Sequence, residues 1–141
     1  MKRLIKYLLI SLPIIYILFI WTLSSLPNNA IINFNSPYDG EIKEILHLIE
    51  FGIPYALIFI AFLALGKYDF RFQVITLFLC IFLSAIDEIH QYFTPSRSTS
   101  FIDFAKDCIG IFVFFIVLKY FNNNEETFLG RIFKNMKTYF K

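Results

Sequence analysis

Apolar residues dominate four stretches of the chain, Tyr7–Leu26, Ile45–Gly66, Phe72–Phe93 and Phe101–Phe121. Each approaches the roughly 20 residues that an α-helix needs to cross the hydrocarbon layer of a bilayer. Between the first two lies a polar segment over 27–44, with Pro27, Asn28, Asn29, Asn33, Asn35, Pro37, Asp39 and Gly40. Lys67-Tyr68-Asp69-Phe70-Arg71 reads as a tight turn between the second and third. After Asn122-Asn123-Asn124 apolar residues return at helical spacing, at Phe128/Leu129, Ile132/Phe133, Met136 and Tyr139/Phe140, with Arg131, Lys134, Lys137 and Lys141 among them. That pattern suits an amphipathic helix lying on an anionic membrane surface. The expected fold is all-α: a four-helix transmembrane bundle over 1–121, then a cytoplasmic amphipathic tail over 122–141 that lies at the interface.

Composition agrees with this picture. Of 141 residues, 57% are hydrophobic and only 17% charged. A soluble domain this small could not bury so much apolar surface. A net charge of +2 lacks the basicity of a nucleic-acid binder, so no nucleic-acid partner is expected. Cys80 and Cys108 both fall in apolar runs and read as packing residues rather than a disulfide. The first run follows Lys2, Arg3 and Lys6 but is long for a signal peptide and shows no small-x-small cleavage site, so it reads as a retained helix.

Lys and Arg gather at the N-terminus, in the 67–71 turn and beyond Lys119, whereas the other loops hold only Lys43 and Arg97. The positive-inside rule then predicts a multi-pass cell-membrane protein with both termini cytoplasmic and the 94–100 loop outside.

Charge interrupts the apolar runs at one end only. Lys43, His47 and Glu50 open the second span; Asp87, Glu88, His90 and Gln91 close the third; Asp103, Lys106 and Asp107 open the fourth. In the predicted topology all three ends face outward. Residues three and four apart share a helix face, so each helix can turn its polar group toward the bundle interior. Placing a charge in lipid costs roughly 2.5–3.5 kcal/mol even on the mild insertion scale. The expected result is a polar pocket among these helices, open to the outside and capped by Arg97. A plainer reading makes the residues structural ion pairs, Arg97 with an aspartate and Lys106 with a glutamate. So many polar residues at one end of three helices exceed what fastening requires, and the cluster as a whole predicts a site.

Two segments resemble the VanZ-like family of small multi-pass membrane proteins. Lys43-Glu-Ile-Leu-His47-Leu-Ile-Glu50-Phe51 is similar to its Lys-x-x-x-His-x-x-Glu-Tyr/Phe pattern. Asp87-Glu88-Ile-His90-Gln91-Tyr-Phe93-Thr-Pro95-Ser-Arg97, followed by Asp103, Asp107 and Gly110, resembles its longer signature, with Ser96 where the family usually has glycine. Trp21-Thr-Leu-Ser24-Ser25 is a weaker third match. The resemblance covers about residues 8–120 and implies a link to resistance against the glycopeptide teicoplanin, but it supplies no reaction.

Three functions fit, in this order. The first is binding of a lipid-linked or anionic envelope component, for which the Arg97 guanidinium and Lys106 are suited. The second is an enzyme acting on a lipid-linked envelope substrate: Asp87, Glu88, His90, Asp103 and Asp107 offer acid–base groups or ligands for a divalent metal, although no HExxH, nucleophile elbow or phosphate loop selects a reaction. His47 and His90 without cysteine partners are weak zinc ligands. The third is a transporter or proton path, ranked last because the inner halves of the helices lack ionisable groups. Catalytic residues, cofactor, metal and oligomeric state are not specified by the sequence.

Overall fold

A computed structural model describes residues 1–27, 39–95, 97 and 100–141, with the side chains of 39–44 excepted. Every regular element among the described residues is an α-helix: α1 Lys2–Ser24, α2 Asp39–Glu50, α3 Gly52–Ala64, α4 Phe70–Tyr92, α5 Phe101–Asn123 and α6 Phe128–Phe140. Most of the 27–44 segment falls outside the described residues, but its last part is helical from Asp39, earlier than its polar composition suggests. Helix formation needs no apolar side chain, and Glu41, Lys43 and Glu44 are good helix formers.

The expected second span is divided at Phe51 into α2 and α3. Pro54 explains the break, since it has no N–H to bond the carbonyl of Glu50. At the other end of α3, Gly66 takes φ +72°, and Lys67 N–H bonds the Phe62 carbonyl at 2.8 Å. With Gly66 N–H on the Leu63 carbonyl at 3.0 Å, this is a Schellman stop, which turns the chain into α4.

Three helical runs are long and apolar enough to cross a membrane: Lys2–Ser24, Ile45–Ala64 and Phe70–Tyr92. α5 matches α1 and α4 in length, with 23 residues, but carries Asp103, Lys106, Asp107 and Lys119. α1 buries only Pro13, Ile20 and Ser24 and turns Leu4, Leu8, Ile15, Leu18 and Phe19 outward. Such wide apolar exposure suits lipid rather than water as the surrounding solvent.

Tyr55 and Leu63 of α3, Cys80 of α4 and Ile111 of α5 are wholly buried and centre the core. The tail reaches this core: Phe133 of α6 meets Phe59 edge to face, with ring centroids 5.4 Å apart. Thr127 caps α6, its hydroxyl accepting from Gly130 N–H at 3.1 Å.

Candidate functional site

The polar ends of α2, α4 and α5 do lie together, beside the C-terminal end of α1, and make up the polar end of the bundle. The helical break at Phe51 leaves His47 and Glu50 on the last turn of α2. Ser100 starts α5 by accepting from Ile102 N–H at 3.1 Å, and its own N–H donates to Glu88 Oε1 at 2.8 Å. Glu88 thus ties the end of α4 to the start of α5.

One part of the cluster is a clasp on α1. Asp87 Oδ2 accepts from Ser24 Oγ and from Gln91 Nε2, each at 2.8 Å. Ser25 Oγ donates to the Trp21 carbonyl at 2.7 Å and lies 2.9 Å from His90 Nε2. A hydroxyl has one proton to give, so His90 is the donor in that second contact. The His90 ring also packs on Trp21, with centroids 5.6 Å apart. Arg97 completes the clasp, donating from Nε to the Leu26 carbonyl at 3.1 Å and from Nη2 to the Leu23 carbonyl at 2.9 Å. The last carbonyls of a helix have no partner within it and carry its negative dipole end, so a guanidinium is well placed there.

The plainer reading, an ion pair of Arg97 with an aspartate, is not met. Among the described residues Arg97 holds backbone carbonyls, not an aspartate, because α1 ends within its reach. Lys106 Nζ pairs with Asp103 Oδ1 at 3.3 Å.

The second part surrounds His47. Its Nδ1 lies 3.5 Å from Glu50 Oε2 and 3.9 Å from Asp107 Oδ1. Asp107 is 3% exposed, and its Oδ2 accepts from Ser84 Oγ at 2.7 Å. α5 comes this close to α2 because Gly110 has no side chain: a Cβ there would sit 1.8 Å from the Leu48 carbonyl oxygen.

Between the two parts opens a cavity of about 330 Å³. His47, Glu50, Gln91 and Arg97 form its polar wall, and Tyr16, Phe19, Ile20 and Leu23 of α1 its apolar wall. Asp87 and Asp107 stand behind the polar wall, joined to it through Gln91 and His47. Of the other expected residues, Glu88, His90 and Asp103 are not in this wall, and the Lys43 side chain lies outside the described residues.

His47 and His90 enter different contacts. Among the described residues no three of His, Cys, Asp and Glu converge as a metal-binding group.

Matching against known families reaches almost the whole bundle: the VanZ/LLP1 family profile fits residues 3–122. The chain belongs to the VanZ/LLP1 family. Its apolar helices make it a VanZ-like membrane protein. Neither a curated protein nor a solved structure matches the chain. The matched region of this VanZ-like protein contains both the clasp and the cavity wall.

Sequence reasoning overlooked Ser84 and Tyr16, and reached Ser24 and Ser25 only through the family resemblance. Ser84 could have been found from its position three residues before Asp87 and four after Cys80, on one face of α4.

Proposed function

We propose that this VanZ-like protein is a four-span protein of the cell membrane, with both termini cytoplasmic, that binds a lipid-linked anionic component of the envelope in an outward-facing pocket. The observation that carries this reading is the two-sided lining of the 330 Å³ cavity. A ligand with a charged head and a long apolar chain would find the Arg97 guanidinium and the His47 imidazole on one side. Phe19, Ile20 and Leu23 would take its chain on the other. Arg97 has five N–H groups and uses two on carbonyls, so it can hold the helix end and an oxyanion at once. In this reading α5 is the fourth span, its charged first turns lying at the outer interface. α6 then rests on the inner leaflet, where Arg131 and Lys141 can meet anionic headgroups.

The test is binding of a polyprenyl phosphate to the purified protein, followed by the ligand-induced rise in melting temperature. Wild type should be stabilised, and Glu50→Gln and His47→Gln should remain folded with altered affinity. A polyprenyl phosphate that shifts neither wild type nor variants refutes the reading. In cells, loss of the protein should change the pool of lipid-linked envelope intermediates and the susceptibility to teicoplanin.

A second reading, an enzyme on the same class of substrate, is favoured by His47 standing between Glu50 and Asp107, an arrangement able to move a proton at the cavity wall. Turnover of the bound lipid by purified wild type, lost in His47→Gln, would decide for it.

A further inference from the structure

Opposite the polar end, the start of α4 and the end of α5 frame a second cavity, of about 340 Å³, lined by Tyr68, Phe70, Gln73, Lys119, Asn122 and Asn123. Gln73 stands on the first turn of α4 and Asn122 on the last turn of α5. Gln73 is eighteen positions before Gln91, which lines the first cavity. At 1.5 Å per residue that sets the two cavities about 27 Å apart, close to the thickness of a hydrocarbon layer. The second cavity thus lies at headgroup level, at the opposite edge of that layer.

Two acceptors in its wall lack a donor. Gln73 is 4% exposed, and its Nε2 donates to the Tyr68 carbonyl at 3.3 Å, which leaves Oε1 as the atom without a partner. Asn122 Oδ1 is likewise buried and unpartnered. A buried acceptor left in this state is costly, so a donor is called for. One water needs only about 10–15 Å³, so two would leave most of the cavity for a larger group. The nearest cation in the wall is turned to other work: Lys119 Nζ lies over the rings of Phe70 and Phe115, 4.6 and 5.7 Å from their centroids.

The cavity therefore presents both signs of charge. The last turn of α5 contains no basic residue, so the negative end of its dipole adds to the two acceptors. Lys119 supplies the positive side, and no carboxylate among the described residues pairs with it. An ammonium has three N–H groups, so Lys119 can stay on the rings and still donate to an oxyanion. Phe70 is 55% exposed and carries the wall out to the lipid-facing side of α4, where Ile75, Phe78 and Phe82 are exposed. A ligand with a primary ammonium, a phosphate and apolar chains matches all three features. A methylated ammonium does not: it has no N–H to donate. Nor are the rings set up as a cage for one, since each already holds a lysine, Lys119 on Phe70 and Lys137 at 4.9 Å from the Tyr68 centroid.

We infer that this cavity binds the phosphoethanolamine headgroup of a membrane phospholipid, with the ammonium on Gln73 Oε1 and Asn122 Oδ1 and the phosphate on Lys119. The lipid chains lie along the exposed apolar face of α4. The bound headgroup joins the start of α4 to the end of α5, as Glu88 and Ser100 join these helices at the polar end. In the proposed topology the lipid comes from the inner leaflet, so this site and the outward-facing pocket draw on different pools.

The experiment is the melting temperature of the full-length protein in detergent micelles doped with phosphatidylethanolamine or with phosphatidylcholine of the same chains. The two lipids share the phosphate and the net charge and differ in their N–H groups. Phosphatidylethanolamine should raise the melting temperature saturably, with an apparent affinity at least about tenfold above that of phosphatidylcholine. Asn122→Leu nearly keeps the volume but removes the acceptor and should erase that difference; Asn122→Asp retains an acceptor and should preserve it. Lys119→Gln should weaken the response to both lipids alike. An equal response of wild type to the two lipids overturns the inference, and so does an undiminished preference in folded Asn122→Leu. Glycerophosphoethanolamine, the same headgroup without chains, should have no effect at the same concentration. Stabilisation equal to that by the lipid would overturn the assignment to a membrane phospholipid.

Discussion

Replacing Gly110 by alanine should be the single-methyl change that most damages the site. The added Cβ would lie 1.8 Å from the Leu48 carbonyl oxygen and 2.8 Å from its carbon, both backbone atoms that no rotamer change can move. Restoring an ordinary 3.4 Å contact requires α2 and α5 to part by about 1.6 Å. Overpacking of this kind costs about 1–3 kcal/mol. The displacement also opens the site, because Leu48 adjoins His47 and Gly110 lies one turn after Asp107. The 3.9 Å between His47 Nδ1 and Asp107 Oδ1 would widen to about 5.5 Å. For a protonated imidazole that lowers the attraction by about 1 kcal/mol at an effective dielectric constant near 20. Gly66→Ala is the control. Its φ of +72° makes alanine strained, yet a Cβ there meets nothing within 4 Å and lies far from the site. Both variants should melt lower than wild type in detergent, and only Gly110→Ala should also lose polyprenyl-phosphate binding. A Gly110→Ala protein with wild-type melting and binding would refute the close approach of α2 and α5.

Arg97→Gln removes the guanidinium bonds to the Leu23 and Leu26 carbonyls, of which only Leu23 keeps a second donor, Leu26 N–H, and should cost about 1.5–3 kcal/mol of stability, read as a lower melting temperature; Arg97→Lys, unable to span both carbonyls with one fork, should recover only part. Phe133→Ala removes a ring packed on Phe59 and should cost about 3–5 kcal/mol, so truncation after Asn124 should destabilise the bundle rather than leave it intact. The Glu125–Lys134 pair, 2.6 Å apart, contributes far less to this docking because both groups are exposed. Lys134 holds the Glu125 carboxyl below its usual range, so the pair persists at neutral pH and is lost only as pH falls through that lowered range; protection of α6 from protease should stay unchanged across that fall. For topology, Pro95→Cys should be labelled by an impermeant thiol reagent on intact cells and Lys67→Cys should not, in a chain whose native cysteines are replaced; the reverse pattern would turn the proposed pocket inward.

Three of the four expected spans were legible because lipid imposes long apolar runs, and the 67–71 turn because Lys67, Asp69 and Arg71 interrupt them. The polar cluster was legible too, since ionisable residues stand out against such runs. Its division into a clasp and a cavity wall was not. Asp87 meets Ser24 across 63 positions and Arg97 meets the Leu23 carbonyl across 74, whereas spacing rules relate residues only within one helix. Arg97 is the instructive case: its charge suggested a carboxylate partner, but the end of a helix is also an anion in effect. The buried Gln73, Thr76 and Ser84 of α4 escaped notice for another reason. Its span has a mean hydropathy of 1.9, and averaging over a window hides a single line of Gln, Thr, Cys and Ser. Phe51 could be seen as part of the second span, but the break there required weighing Pro54 against the carbonyl of Glu50.

The clasp has a consequence for how the chain is made. α1 is synthesised first, yet the groups that hold its end, Asp87, His90 and Arg97, come 63 to 74 positions later. At roughly 5–20 residues per second, the ribosome needs several seconds to deliver them. Throughout that interval α1 has no fastening at its end and must rest in the bilayer on its own hydropathy, which at 2.2 is the highest of the three apolar runs. The segment 87–97 then acts as a late closing step, drawing in a helix that has already been inserted. Any variant that slows or weakens this step would leave an early helix free in the membrane, exposed to quality-control proteases while the rest of the bundle is still being built.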